Sequence, residues 1–468
     1  MQLTPSILLD DCRPHCDHQR QRVSFAIART LAIAALLFIN GPVQATDYYL
    51  NPSGDDRNKG TAIDHAWASI ARVNQATLAP GDRVFFEARA RFAGPLLLDS
   101  DDRGTSTDPI TITSYGDGTA QIDGGDGVGV FAHNTAGIIL SQIAVNGSGN
   151  PRNTSDGVVF LNDLCGDVLL GGITLHQVEV KGFGRNGIAI GGWNGRSGFQ
   201  NIRITHTTVH DNGLNGLVTY AQQPQVNKQV YLANVESYRN TGQPLVKPHS
   251  GSGIILGHVD GGTVEWSRAY DNGRLGNAGV GIWTYDSTRI LIQHNQSFGN
   301  HTSGEADGGG FDLDGGVTDS VMQYNYSHDN DGAGYGLLEY ADAPPWVGNT
   351  VRYNLSVNDG RKNDAAGIQI WNGGTSLLAD AKIHENVVMV GTSEDGIPSA
   401  LALKSPSHGF SIYQNAFLVS GRANLVSIAA EQFNLQFSNN RCWSMAVGYF
   451  RDEGLEKQVC ETYFGFPR

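Results

Sequence analysis

Gly281-Ile-Trp-Thr284, Ile290-Leu-Ile292 and Asn295 make one unit of a pattern that runs through most of the chain. A short apolar phrase is opened by glycine, turned, followed by a second apolar phrase and closed by asparagine. The openings recur as Gly187-Ile-Ala-Ile190, Gly216-Leu-Val-Thr219, Gly253-Ile-Ile-Leu256, Gly310-Phe-Asp-Leu313 and Gly367-Ile-Gln-Ile370. The closings Asn212, Asn240, Asn272, Asn295, Asn325, Asn354, Asn386 and Asn415 lie roughly 24 to 32 residues apart, a period that signals a solenoid. Each phrase is too short for a helix and alternates like a strand. A strand of this length cannot bury its apolar face alone, whereas stacked coils can. The pattern predicts an all-β chain, a right-handed parallel β-helix of roughly eleven coils over 109–440. An entry and cap over 46–108 and a second cap over 441–468 would cover its ends, because an open first coil exposes unpaired edges.

Composition agrees. With 60 glycines and 17% charged residues, the 468-residue chain has the turn density of an all-β solenoid. A net charge of -14 and no basic stretch in the body exclude nucleic acid as a partner. A polysaccharide fits better, either neutral or anionic and bridged by a cation, and the chain reads as a monomer.

Residues 1–45 read as a signal peptide with an extended leader. Arg20, Arg22 and Arg29 precede the apolar run Leu31 to Ile39, and Val43-Gln-Ala45 offers small residues for cleavage. The run is too short for a transmembrane anchor, so the mature chain would begin near Thr46 and be secreted or periplasmic. In that oxidising setting Cys442 and Cys460 suit a disulfide, with Cys165 buried in the stack. A helix is expected over Ala66 to Leu78, with Trp67, Ile70, Val73 and Leu78 on one face as a lid on the first coil.

Several polar groups have a structural explanation. Asparagine repeated at one corner of every coil stacks its amide on the next and bonds the turn backbone. His210 and His328 sit in repeated His-Asp-Asn turns and belong to the same chemistry. Gly308-Gly-Gly310 lacks the Lys-Ser/Thr ending of a phosphate loop.

Tyr48-Tyr-Leu-Asn-Pro-Ser-Gly-Asp55, Ala79-Pro-Gly-Asp-Arg-Val84 and Asp108-Pro-Ile-Thr-Ile-Thr-Ser-Tyr-Gly116 resemble the entry of secreted bacterial right-handed β-helix proteins, a group with pectate-lyase-like and glycosidase members. Ala306 to Gly316 and Tyr324 to Gly334 extend the resemblance, which implies a fold more than an activity. Where calcium-dependent pectate lyases carry a lysine base, this chain has an acidic residue in Asp312-Leu-Asp314. The Gly-His-Gly and Arg-Ile-Lys of polygalacturonase-like hydrolases and the Asp-Pro-His of alginate epimerases are missing from the sequence.

Strand parity supplies the candidate site. In Gly310-Phe-Asp-Leu-Asp314, Phe311 and Leu313 point inward while Asp312 and Asp314 point out. The same register exposes Trp283 and Tyr285 on one side and Tyr340, Gln369 and Trp371 on the other, an aromatic strip suited to sugar rings. Glu339 joins as a third acid if its strand aligns through Gly334, which would seat it one coil above Asp314. These acids are expected to carry glycoside hydrolysis, which needs no cofactor. The alternatives are a calcium-dependent lyase acting on a uronate-containing polymer, with Asp307, Asp312, Asp314 and Asp331 on the metal and Lys247 or His249 as base, and a non-catalytic polysaccharide-binding surface. Lys247 and His249, with His258 beyond them, also suit substrate binding.

Overall fold

A computed structural model of the chain describes residues 45–244, 249–375, 378–445 and, as backbone, 461–464. Three long sheets of parallel strands, two of fourteen strands and one of twelve, run the length of the molecule. One coil contributes Val280–Tyr285 to the twelve-stranded sheet, Thr288–Gln293 to one fourteen-stranded sheet and Gln296–Phe298 to the other. The chain then returns as Gly309–Leu313, directly above Val280–Tyr285. Eleven coils were expected from 109 to 440; the twelfth strand of this sheet, Leu96–Leu98, lies before that range.

Register is set by the interior. Ile282, Phe311, Tyr335, Ile368 and Leu401 are consecutive cross-coil partners, and each is at most 1% exposed. Burying a side chain of this size contributes about 1.5–3 kcal/mol, and a one-residue slip would turn the whole row outward.

The closing asparagines form two ladders at two corners. Asn212, Asn240, Asn272, Asn300 and Asn330 pass Nδ2–H to the next Oδ1 at 2.8–3.0 Å, ending on Asp359. Asn295, Asn325, Asn354, Asn386 and Asn415 do the same at 2.9–3.1 Å, ending on Asn440. The opening glycines sit beside the first ladder. A Cβ on Gly310 would collide with Ser327 Oγ and stand 2.9 Å from Asn330 Nδ2.

Two expectations change. The helix is a single turn, Ile70–Val73, because Trp67 bridges to Leu50 in extended backbone and Asp56 Oδ1 accepts from the amides of Ala68 and Ser69. Trp67, Ile70, Val73 and Leu78 are nevertheless buried in the main core. Cys165 lies on an exposed turn instead of in the stack. Cys442 is buried, while Cys460 lies outside the described residues, as does the leader through residue 44.

Candidate active site

The outer face of the twelve-stranded sheet carries the row Ile255, Trp283, Asp312, Gly336, Gln369 and Ala402 as cross-coil partners. Phe311 and Leu313 are in the core, so Asp312 and Asp314 point outward as parity requires. They are not exposed. Asp312 is 2% and Asp314 5% accessible, and Trp283 and Tyr285 are likewise buried. The expected open strip is a covered one: Trp283 and Tyr285 pack with Ala189, Val218, Tyr220, Ile255 and Val280 into a second apolar cluster outside the main core, with Tyr340 against it.

Outward glycines explain the covering. A Cβ on Gly257 would lie 2.6 Å from Tyr285 Cε1, one on Gly191 2.6 Å from Tyr220 Cγ, and one on Gly336 2.8 Å from Asp312 Oδ1. Each large side chain lies down over a glycine of the neighbouring coil. The tyrosines lean toward the preceding coil and Asp312 toward the following one, so rings and acids part along the strand pair Val280–Tyr285 and Gly309–Leu313. These glycines were the sequence signal for burial, and they lie in the strand phrases already read for their apolar residues.

Five acids gather here. Asp312 Oδ1 has no hydrogen-bond partner, and burial, followed by the charges of Asp314 and Asp307, raises its carboxyl well above the usual range. Asp314 Oδ1 accepts from the Gly315 amide at 2.8 Å, and burial lifts the group to about 6. Asp307 is the more open, with its side chain 18% exposed and 3.9 Å from His249 Nδ1; burial raises it too. His249 donates from Nδ1 to Ala278 O at 3.0 Å, and its ring is 5.4 Å from that of Trp283.

The register through Gly334 holds, and Glu339 sits one residue beyond the seat expected of it. Phe311 pairs with Tyr335 and Leu313 with Leu337, so Leu338, the partner of Trp371, takes the outward seat next after Gly336. Glu339 follows at the strand end opposite Asn372. It is fully buried, neither carboxyl oxygen has a hydrogen-bond partner, and burial with the nearby charges of Asp314 and Asp286 pushes it to about 8. The third acid thus comes within the field of Asp314 by a different path from the one expected.

Sequence reasoning missed Asp286. It follows Tyr285 in left-handed backbone (φ 48°), accepts from Tyr340 Oη at 2.8 Å and is raised to about 6 by burial. His258 lies 3.8 Å from it, lowered to about 4 by burial. Buried polar atoms without partners are rare and concentrate where a structure does chemistry or holds a ligand. Asp312, Glu339, His258 and Gln369 each contribute at least one here.

Other candidates stand apart. Lys247 lies outside the described residues. Asp331, grouped above with Asp307, Asp312 and Asp314 around calcium, holds its carboxylate 3.0 Å from Lys362 Nζ and 3.5 Å from His301. Among the described residues no three of His, Cys, Asp and Glu are arranged to hold a metal. Trp371 is 41% exposed, as expected. His210 and His328 sit on a different sheet, at the two ends of a stack with Tyr238, Tyr270 and Phe298 whose ring centroids are 4.6–4.9 Å apart.

The family model described as right handed beta helix region matches residues 239–388. The chain is a right-handed parallel β-helix protein. A curated relative of this β-helix protein is the lacto-N-biosidase of Bifidobacterium longum subsp. longum, 23% identical over 72% of this chain and 28% of the relative. The chain therefore spans little more than a quarter of that relative's length. Among solved structures, the lacto-N-biosidase of Eubacterium ramulus superposes with a TM-score of 0.55 at 18% identity, covering 84% of this chain and 68% of that one. The mannuronan C-5 epimerase A-module of Azotobacter vinelandii gives 0.51 at 16% identity, covering 81% and 95%. At such identities the likeness is one of fold. No helix among the described residues is long and apolar enough to cross a membrane.

Proposed function

We propose that this β-helix protein is a secreted glycoside hydrolase whose reaction centres on Asp314. The observation that carries the reading is a set of neighbouring carboxyls whose proton affinities are driven apart, Asp314 near 6 and Glu339 near 8, with Asp312 well above its usual value. Hydrolysis of a glycoside needs one acid that keeps its proton and one that has lost it, and environments that separate two carboxyls supply this at one pH. Asp314 is the common element, because its charge contributes to the raised pKa of Asp312, Glu339 and Asp286.

Asp314 acts as the ionised carboxylate. Asp307 is its partner: of the acids on this strand and its approach it is the most open, and a proton donor must reach the leaving oxygen. Asp312 and Glu339, enclosed and held neutral, limit the negative charge around the pair. The name of the curated relative, a biosidase, supports a glycosidase over a lyase. The leader pattern ending in Ala45 supports export, which N-terminal sequencing at Thr46 would verify.

The test is incubation with a panel of neutral and acidic oligosaccharides, reading new reducing ends and new conjugated double bonds separately. Hydrolysis should give reducing ends alone. Asp314→Asn and Asp307→Asn should lower the rate by about 10²- to 10⁴-fold without loss of fold. Full activity in both variants, or unsaturated products abolished by His249→Ala, would reject the hydrolase in favour of the lyase.

A further inference from the structure

A 190 Å³ pocket adjoins the acids, walled by the rings of Trp193, Tyr220, Tyr285 and Tyr340 and floored by His258 and Asp286. We propose that this pocket binds a single uncharged pyranose ring and selects against uronates and sulfated sugars. The inference rests on the glycosidase reading, since it names the sugar that reading requires beside Asp314.

Size sets the first limit. Drug-sized ligands occupy cavities of about 300–1,000 Å³, so this pocket holds one ring and not a disaccharide. The lining sets the second. Aromatic rings offer flat apolar faces to the C–H groups of a sugar while their polar tips stay available for hydroxyls. The polar groups are Gln222, His258, Asp286 and Asp342, and no lysine or arginine lines the pocket. A carboxylate or sulfate there would meet two acidic side chains and no cation to offset them.

His258 shows that the pocket is built for a partner. Its side chain is only 9% exposed and its Nδ1 has no hydrogen bond. Asp286 does not supply one: its Oδ2 is 3.8 Å away, beyond hydrogen-bond reach, and its Oδ1 accepts from Tyr340 Oη at 2.8 Å. A buried ring nitrogen left unpaired is costly, and a sugar hydroxyl, which both donates and accepts, satisfies it. Tyr340, held by Asp286, is fixed as the opposite wall.

The experiment titrates galactose, glucose, N-acetylglucosamine, galacturonate and glucuronate into the full chain carrying Asp314→Asn, by saturation-transfer NMR at pH 7. At least one neutral sugar should bind about tenfold or more tighter than either uronate. His258→Ala should weaken that sugar by about tenfold, the effect of leaving one buried polar partner unpaired. Asp286→Asn, a conservative change, should narrow the preference for neutral over anionic sugar by a similar factor. Equal or tighter uronate binding, or no binding of any neutral sugar, overturns the inference. Selective binding in a protein that hydrolyses nothing would keep this inference and reject the glycosidase, while hydrolysis by a protein whose pocket binds uronates equally well would do the reverse.

Discussion

Replacing Glu339 by Gln should stabilise the protein at neutral pH and do almost nothing at acid pH. Glu339 is fully buried with both carboxyl oxygens unpartnered, and its pKa rises from 4.5 to about 8. In the unfolded chain the group ionises near 4.5; in the folded chain it keeps its proton to about 8. Between those values the folded state binds the extra proton, so stability falls as pH rises through the window and levels off above it. Each pH unit is worth about 1.36 kcal/mol, and pH 7 lies two and a half units above the unfolded value, so the carboxyl costs about 3 kcal/mol there. Coupling to Asp314 and Asp286, which titrate near 6, spreads the change without altering its sign. Gln is neutral in both states and removes the pH-dependent cost. Urea unfolding of both proteins at pH 4.5 and pH 7 isolates this, because any fixed penalty for the amide cancels in the difference between the two pH values. The difference should be about 3 kcal/mol in favour of the variant at pH 7, accompanied by loss of a carboxylic-acid carbonyl band in the infrared. A pH-dependent gain below about 1 kcal/mol would mean that Glu339 is ionised and solvated, and the separation of proton affinities behind the proposed mechanism would fail.

Gly336→Ala places a methyl 2.8 Å from Asp312 Oδ1 and 3.1 Å from Leu338 Cγ, so it should cost about 1–3 kcal/mol in thermal or urea unfolding and depress activity by tilting Asp312 toward Asp314. Asp359→Asn should continue the first asparagine ladder; because burial raises Asp359 from 3.8 to about 6, the variant should gain up to about 3 kcal/mol above pH 6 and nothing below pH 4, as read by unfolding across pH. Trp371→Ala should raise KM with little change in kcat, since an exposed ring contributes substrate contact and not proton transfer.

Much of the site is legible in the sequence. Parity in Gly310 to Asp314 assigned Asp312 and Asp314 to the outer face, and the Gly-to-Gly alignment of successive phrases matches the observed partners from Ile282 to Ile368. The Asn repeats were legible as turn chemistry, although Asn272 and Asn295 stand in different ladders, which a single list of closings hid. Glu339 was misplaced by one residue: the alignment through Gly334 seats Leu338 above Asp314 and leaves Glu339 at the strand end. The buried state of Trp283 and Tyr285 was missed because alternation distinguishes two faces of a strand but not an open face from a covered one.

The sequence by itself determined the coil, its register and its inward row, because these repeat every turn and each repetition adds the same burial and the same hydrogen bonds. Only the tertiary structure decided that the outward acids are enclosed, that Asp286 and Tyr340 meet across 54 residues, and that His258 is left with an unpaired nitrogen beside them. Those contacts occur once. They depend on how far each side chain leans over a neighbouring glycine and on the irregular segments at Gln222–Pro224 and Asp342–Pro344, where no period constrains the chain.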